Sequence, residues 1–102
     1  MERTINVEIH LFPPLNNTVN RDKVTLTLKE GAILQTVIDE LLKRFDNPAF
    51  RLHLYATEGR LIPAWSAFIN DRPAVRLGSR GGPVTPVSDG DDITFFLGLA
   101  GG

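Results

Sequence analysis

The chain has 102 residues, a length that predicts a single domain over residues 1–102 with room for one modest core. A formal net charge of −1, with 42% apolar and 23% charged residues, leaves no basic excess for a nucleic acid or an anionic membrane. The absence of cysteine excludes disulfides, thiolate nucleophiles and cysteine-held metals.

The first residues, Met1-Glu2-Arg3-Thr4, lack the apolar run of a signal peptide. No stretch approaches the ~20 apolar residues of a membrane-spanning helix. The expected compartment is therefore the cytoplasm. Ile5, Val7, Ile9 and Leu11 alternate with Asn6, Glu8 and His10, which predicts a half-buried strand. Phe12-Pro13-Pro14 ends it, because proline cannot donate to a strand ladder. Asn16-Asn17-Thr18 reads as a turn. Val24, Leu26 and Leu28 alternate with lysine and threonine and predict a second strand, joined to the first as a hairpin with a long loop.

At Gly31 the period changes. Leu34, Val37, Ile38, Leu41, Leu42 and Phe45 fall at helical spacing and form one apolar stripe. Asp39 with Lys43, and Glu40 with Arg44, are expected i,i+4 pairs on the other face. No Ser, Thr, Asp or Asn stands next to Ile33 as a cap, so the first turn is poorly defined. Asp46-Asn47-Pro48 stops the helix. From Ala49 to Arg60 the pattern is weak: Leu52 and Leu54 flank His53, consistent with a short strand or an ordered loop, and Glu58-Gly59 reads as a turn. Ala67-Phe68-Ile69 predicts a third strand and Val75 to Leu77 a short fourth one. Gly78-Ser79-Arg80-Gly81-Gly82-Pro83 reads as a flexible loop. Asp89-Gly90-Asp91-Asp92 turns into a last strand, in which Ile93, Phe95 and Leu97 share one face and Thr94, Phe96 and Gly98 the other.

The fold class implied is α+β: a mixed four- to five-stranded sheet of the β-grasp type with one main helix packed on one face. The first and last strands are the most apolar, which places them side by side in the sheet centre; the topology, not the periodicity, is what suggests that they run parallel.

The chain closes on Leu99-Ala100-Gly101-Gly102. Two glycines add nothing to a core and lose more chain entropy on ordering than any other residue. Residues 98–102 are therefore expected to be a flexible tail that carries a terminal carboxylate on a stalk without side chains. Extended, Leu99 to Gly102 reaches roughly 13 Å, enough to enter a partner's active site while the body stays outside. A frayed terminus that happens to be glycine is the alternative.

Several segments together resemble the ubiquitin-like sulfur carriers of the MoaD/ThiS family: Lys29-Glu30-Gly31-Ala32 before the helix, Phe68-Ile69-Asn70-Asp71-Arg72 closing a strand, Thr85-Pro86-Val87-Ser88-Asp89-Gly90-Asp91-Asp92-Ile93, and the Gly101-Gly102 end. The resemblance runs from about Ile5 to Gly102 and is greatest to the small subunit of molybdopterin synthase. It implies a ubiquitin-like β-grasp fold and a carrier rather than an enzyme. Gly102 would be the reacting residue. An E1-like adenylyltransferase would activate its carboxylate with ATP and magnesium, and a sulfurtransferase would supply sulfur to form a thiocarboxylate. The large subunit of molybdopterin synthase, or another acceptor enzyme, would receive that sulfur. No cofactor or metal would be held permanently. The stretch Val75–Val84 is longer than the family pattern, and Leu97-Gly98-Leu99 stands where a proline is common. Two alternatives use the same tail: a protein modifier joined to lysines through Gly102, and a carrier for thiamine or another sulfur-containing product. A third, from a different class, is a β-grasp interaction module with an inert tail.

Partner contacts are expected at Phe96, Leu99, Ala100, Gly101 and Gly102. The strand register puts Phe96 on the face away from the helix, beside the base of the tail. A phenylalanine left in water there has no folding reason, which suggests a docking contact unless the Val75–Val84 loop folds over it. His10 and His53 read as ordinary surface residues without a clustered carboxylate. Asp89-Gly90-Asp91-Asp92 lacks the length and closing glutamate of a calcium loop and reads as a turn of solvated aspartates. Gly78-Ser79-Arg80-Gly81-Gly82 lacks the Lys-Ser/Thr end of a phosphate loop. Trp65 and Tyr55 suit either a partner surface or the core.

Overall fold

A computed structural model describes residues 3–13, 15–54, 65–70, 72–78 and 81–97. Tyr55, the Glu58-Gly59 turn, Ser79-Arg80 and the tail residues Gly98, Leu99, Ala100, Gly101 and Gly102 lie outside the described residues, as does the side chain of His53.

Strand β1 (Thr4–Leu11) pairs antiparallel with β2 (Lys23–Lys29), in register from Thr4 opposite Lys29 to His10 opposite Lys23. The alternation in sequence becomes alternation in burial. Ile5, Val7, Ile9 and Leu11 of β1, with Val24, Leu26 and Leu28 of β2, all enter the core. Strand β5 (Asp92–Leu97) lies parallel to β1 on its other side, with Glu8 opposite Asp92 and Leu11 opposite Phe95. Strands β3 (Trp65–Ile69) and β4 (Val75–Arg76) complete a mixed five-stranded sheet of order β2-β1-β5-β3-β4. The expected central parallel pair is therefore present. Trp65 is fully buried and fills the core with Phe95 and Ile93.

Helix α2 (Leu34–Phe45) buries Leu34, Val37, Ile38 and Leu41, and packs Leu42 and Phe45 against the same core. Its N-terminus is capped by a distant segment rather than by a local side chain. The Leu34 and Gln35 amides donate to the carbonyls of Thr85 and Pro83, each at 2.9 Å, and Thr36 Oγ1 accepts the Ile33 amide at 3.2 Å. The segment after β4 thus satisfies helix N–H groups that would otherwise lack partners. Val87, which is buried, donates to the Ala32 carbonyl and holds the segment in place. The surface pairs of α2 differ from expectation. Lys43 lies 3.4 Å from Glu40 at i,i+3, and Asp39 accepts a hydrogen bond from Gln35 at 2.9 Å.

Two short helices replace a predicted turn and a predicted strand or loop. Helix α1 (Leu15–Val19) covers Asn16-Asn17-Thr18 and buries Leu15. Helix α3 (Pro48–Leu54) covers the Leu52–Leu54 stretch. Asp46, left-handed at φ 38°, ends α2 with its amide on the Leu42 carbonyl. Asn47 then caps α3: its Oδ1 accepts the amides of Ala49 at 2.8 Å and Phe50 at 3.3 Å. Pro48 occupies the first helical position, where its missing N–H costs nothing. The same Asn47 donates through Nδ2 to the Thr18 carbonyl at 2.9 Å and so ties α3 to α1. Phe50 and Leu54, one helical turn apart, are the buried side of α3, and the Phe50 ring lies 5.5 Å from that of Phe45.

Candidate functional site

Every strand of the sheet has one face in the core and one face turned away from α2. On β5 the inward residues are Ile93 and Phe95, and the outward ones Asp92, Thr94 and Phe96. The expected register of Phe95 and Phe96 therefore holds. The expected exposure of Phe96 does not: it is only 9% exposed. One neighbour that covers it is Phe68 on β3, whose ring stacks on Phe96 with centroids 4.7 Å apart and planes 17° from parallel. Phe68 sits opposite Thr94, one step along from Phe96, and remains 37% exposed. The water-facing aromatic of this patch is thus Phe68, with Phe96 beneath it. The alternation of β3 placed Phe68 on the outer face, but sequence reasoning did not single it out.

Phe12 adds a second exposed ring at the same end of the sheet. Leu11 lies opposite Phe95, and Phe12 and Phe96 each follow by one residue. This is the end of the sheet at which β5 stops, at Leu97. Phe12 and Phe96 therefore share the C-terminal end of β5, while Phe68 lies back along the sheet, opposite Thr94.

The opposite end of β5 is fixed by the Asp89-Gly90-Asp91-Asp92 turn, in which Asp89 and Asp92 are exposed as expected but Asp91 is not. Asp91 is buried and accepts from the Ser88 amide at 2.8 Å and from Asn70 Nδ2 at 2.9 Å. Its carbonyl takes the Glu8 amide at 3.0 Å. Asp89 accepts the Asn6 amide at 2.7 Å, and Gly90, at φ +83°, donates to the Asn6 carbonyl at 2.8 Å. Asn70 also accepts the Asp92 amide at 2.9 Å through Oδ1. These bonds join β1, β3 and β5, so the turn is structural. Beside it on the outer face, His10 stands between Glu8 and Asp92, which corrects the expectation that His10 has no carboxylates around it. The Gly81–Gly82 part of the glycine loop serves the helix cap: Thr85 donates its amide to the Gly82 carbonyl. No helix among the described residues is long and apolar enough to cross a membrane.

No protein-family model matches the chain, and no curated protein matches it in sequence. Solved structures do match in fold. SAMP1 from Haloferax volcanii superposes with a TM-score of 0.73 at 22% identity, over 95% of this chain and 99% of that one. CysO, an antigen from Mycobacterium tuberculosis, gives a TM-score of 0.67 at 20% identity, over 91% and 99%. A putative molybdopterin converting factor, subunit 1, from Pyrococcus furiosus gives 0.64 at 19% identity, over 93% and 99%. The chain has the ubiquitin-like β-grasp fold of these proteins.

Proposed function

We propose that this chain is a ubiquitin-like carrier of the MoaD/ThiS type, with Gly102 as its reacting residue. The observation that carries the reading is the position of β5 in the sheet. Strand β5 is the middle strand of the sheet and ends at Leu97, and in the sequence only three residues separate it from Gly101-Gly102. The length correspondence with SAMP1 and with the converting-factor subunit supports it, since each is covered almost end to end.

The chemistry needs no catalytic group in the carrier. A carboxylate is a poor electrophile, because its leaving group would be oxide. In the proposed sequence an E1-like adenylyltransferase joins the Gly102 carboxylate to AMP and releases pyrophosphate, using ATP and magnesium. A persulfide on a sulfurtransferase attacks the acyl carbon and displaces AMP. A thiol then cleaves the resulting acyl disulfide and leaves the thiocarboxylate. Sulfur transfer to a molybdopterin precursor on a large synthase subunit is the finer proposal. Conjugation through Gly102 is the second reading. It is favoured by the higher structural likeness to the protein from H. volcanii, described in another of its structures as a small archaeal modifier.

The test is ATP–pyrophosphate exchange with the adenylating enzyme of the same host, on the full chain and on a chain lacking Gly101 and Gly102. Exchange is expected for the first and absent for the second. Equal exchange by both overturns the proposal, and so does no exchange by either. Intact mass of the chain isolated from its host separates the two readings. A carrier shows a species heavier by the difference between sulfur and oxygen, and a modifier shows conjugates to other proteins.

A further inference from the structure

On the face of the sheet away from α2, the donor atoms of Glu8, His10 and Asp92 all lie within 4.8 Å of one another. His10 Nε2 is 3.4 Å from Glu8 Oε1 and 3.6 Å from an oxygen of Asp92. Both distances exceed those of good N–H···O hydrogen bonds, which cluster at about 2.7–3.2 Å. They match the edge of a tetrahedron of ligands around a metal. With bonds of about 2.0–2.2 Å to nitrogen and oxygen, neighbouring ligand atoms stand roughly 3.3–3.6 Å apart.

We propose that Glu8, His10 and Asp92 form a three-ligand site for a divalent transition cation of the zinc type. Glu8 and Asp92 face each other across the parallel β1–β5 pair, and His10 follows Glu8 by two residues on the same face. The two strands are the central pair of the sheet, and the Glu8 amide is held by the Asp91 carbonyl. The backbone therefore sets the positions from which the three side chains project before any ion arrives. One imidazole with two carboxylates is a donor set for zinc, manganese, iron or cobalt, and the lack of thiolate or thioether disfavours copper(I). The side chains of Glu8 and His10 are about one-third exposed and that of Asp92 more so, which leaves the fourth position to water. Lys23 Nζ lies 3.6 Å from Glu8 Oε1 and competes with the cation for that carboxylate. This site is independent of the tail and of the proposed carrier chemistry.

The test is calorimetric titration of the metal-free full chain with Zn²⁺, together with ¹⁵N NMR of the imidazole nitrogens. One ion is expected per chain, with a shift of His10 Nε2 and none at His53. His10→Gln and Asp92→Asn should each weaken binding by more than about tenfold. Lys23→Gln should tighten it, and His53→Gln should leave it unchanged. Thermal melting of each variant without metal checks that it folds, and Zn²⁺ should raise the melting temperature of the parent chain but not of His10→Gln. The NMR shift is read on the unmutated chain, so a poorly folding variant does not remove the test. Absence of saturable binding, or binding that follows His53 instead of His10, overturns the proposal.

Discussion

Phe95 and Phe96 are neighbours in sequence with opposite environments, and Phe68 completes the contrast. Phe95 is 1% exposed and surrounded by core. Its replacement by alanine should cost about 3–5 kcal/mol, as for other buried phenylalanines, read from urea unfolding. Phe96 contacts the outer face and loses a stacked partner when truncated. Phe96→Ala should cost less, about 1–3 kcal/mol, because a stacked pair adds only about 0.5–1.5 kcal/mol beyond its buried area. Phe68 is the exposed ring, so Phe68→Ala should shift the melting temperature least. It should weaken binding to the adenylating enzyme by about 1–3 kcal/mol if this patch is the docking surface. Unchanged affinity for both Phe68→Ala and Phe96→Ala would move the docking surface elsewhere. The alternation of β5 fixed which phenylalanine faces inward, but no local pattern announces a stack between residues 68 and 96. A strand shows which of its own residues share a face; which residue of another strand lies beside them depends on pairing register.

At the scale of elements, periodicity worked where an element was long enough to display it. The twelve residues of α2 carry a full apolar stripe, and β1 and β2 alternate over their whole lengths. Helices of five and seven residues do not. In α3 the alternation of Leu52, His53 and Leu54 points to a strand, whereas the informative pair is Phe50 with Leu54, four apart. Asp46-Asn47-Pro48 was legible as the stop of one helix, but the same residues start the next. Asn47 accepts two α3 amides and donates to Thr18, so Asn47→Ala removes a cap and a tertiary bond together. A loss of about 1–2 kcal/mol is expected, with faster hydrogen exchange in α1 and α3 than in α2. Equal acceleration across all three helices would contradict this local role. The start of α2 was illegible for a different reason. Its amides are held by the carbonyls of Pro83 and Thr85, and backbone carbonyls leave no signature in residue type. The long Val75–Val84 stretch, unusual against the family pattern, leads into this cap.

The whole molecule depends on a parallel strand pair whose members are the first and last strands of the sequence. Such a pair is assembled from residues far apart in the chain, at a cost in loop entropy that local contacts cannot offset. The turn at 88–92 is where that pairing is fastened. Asp91 is buried there with one carboxylate oxygen on the Ser88 amide and the other on Asn70 Nδ2, while its carbonyl holds Glu8 of β1. An Asp-Gly-Asp-Asp run is usual for a solvated turn, and that reading holds for Asp89 and Asp92 but not for Asp91. Only the arrival of Asn70 from β3 and Asn6 from β1 turns those carboxylates into fasteners. Asp91→Ala strands two donors, and each hydrogen bond to a charged group contributes about 1.5–3 kcal/mol, so a total loss of about 2–4 kcal/mol is expected after partial rescue by water. Asn70→Ala removes the side chain that bonds both Asp91 and the Asp92 amide, and its effect should not add to that of Asp91→Ala. Urea unfolding of the two single variants and the double variant measures this. A double-variant loss equal to the sum of the singles would mean that the turn and β3 are stabilised separately, and that the parallel pair is held by core packing alone.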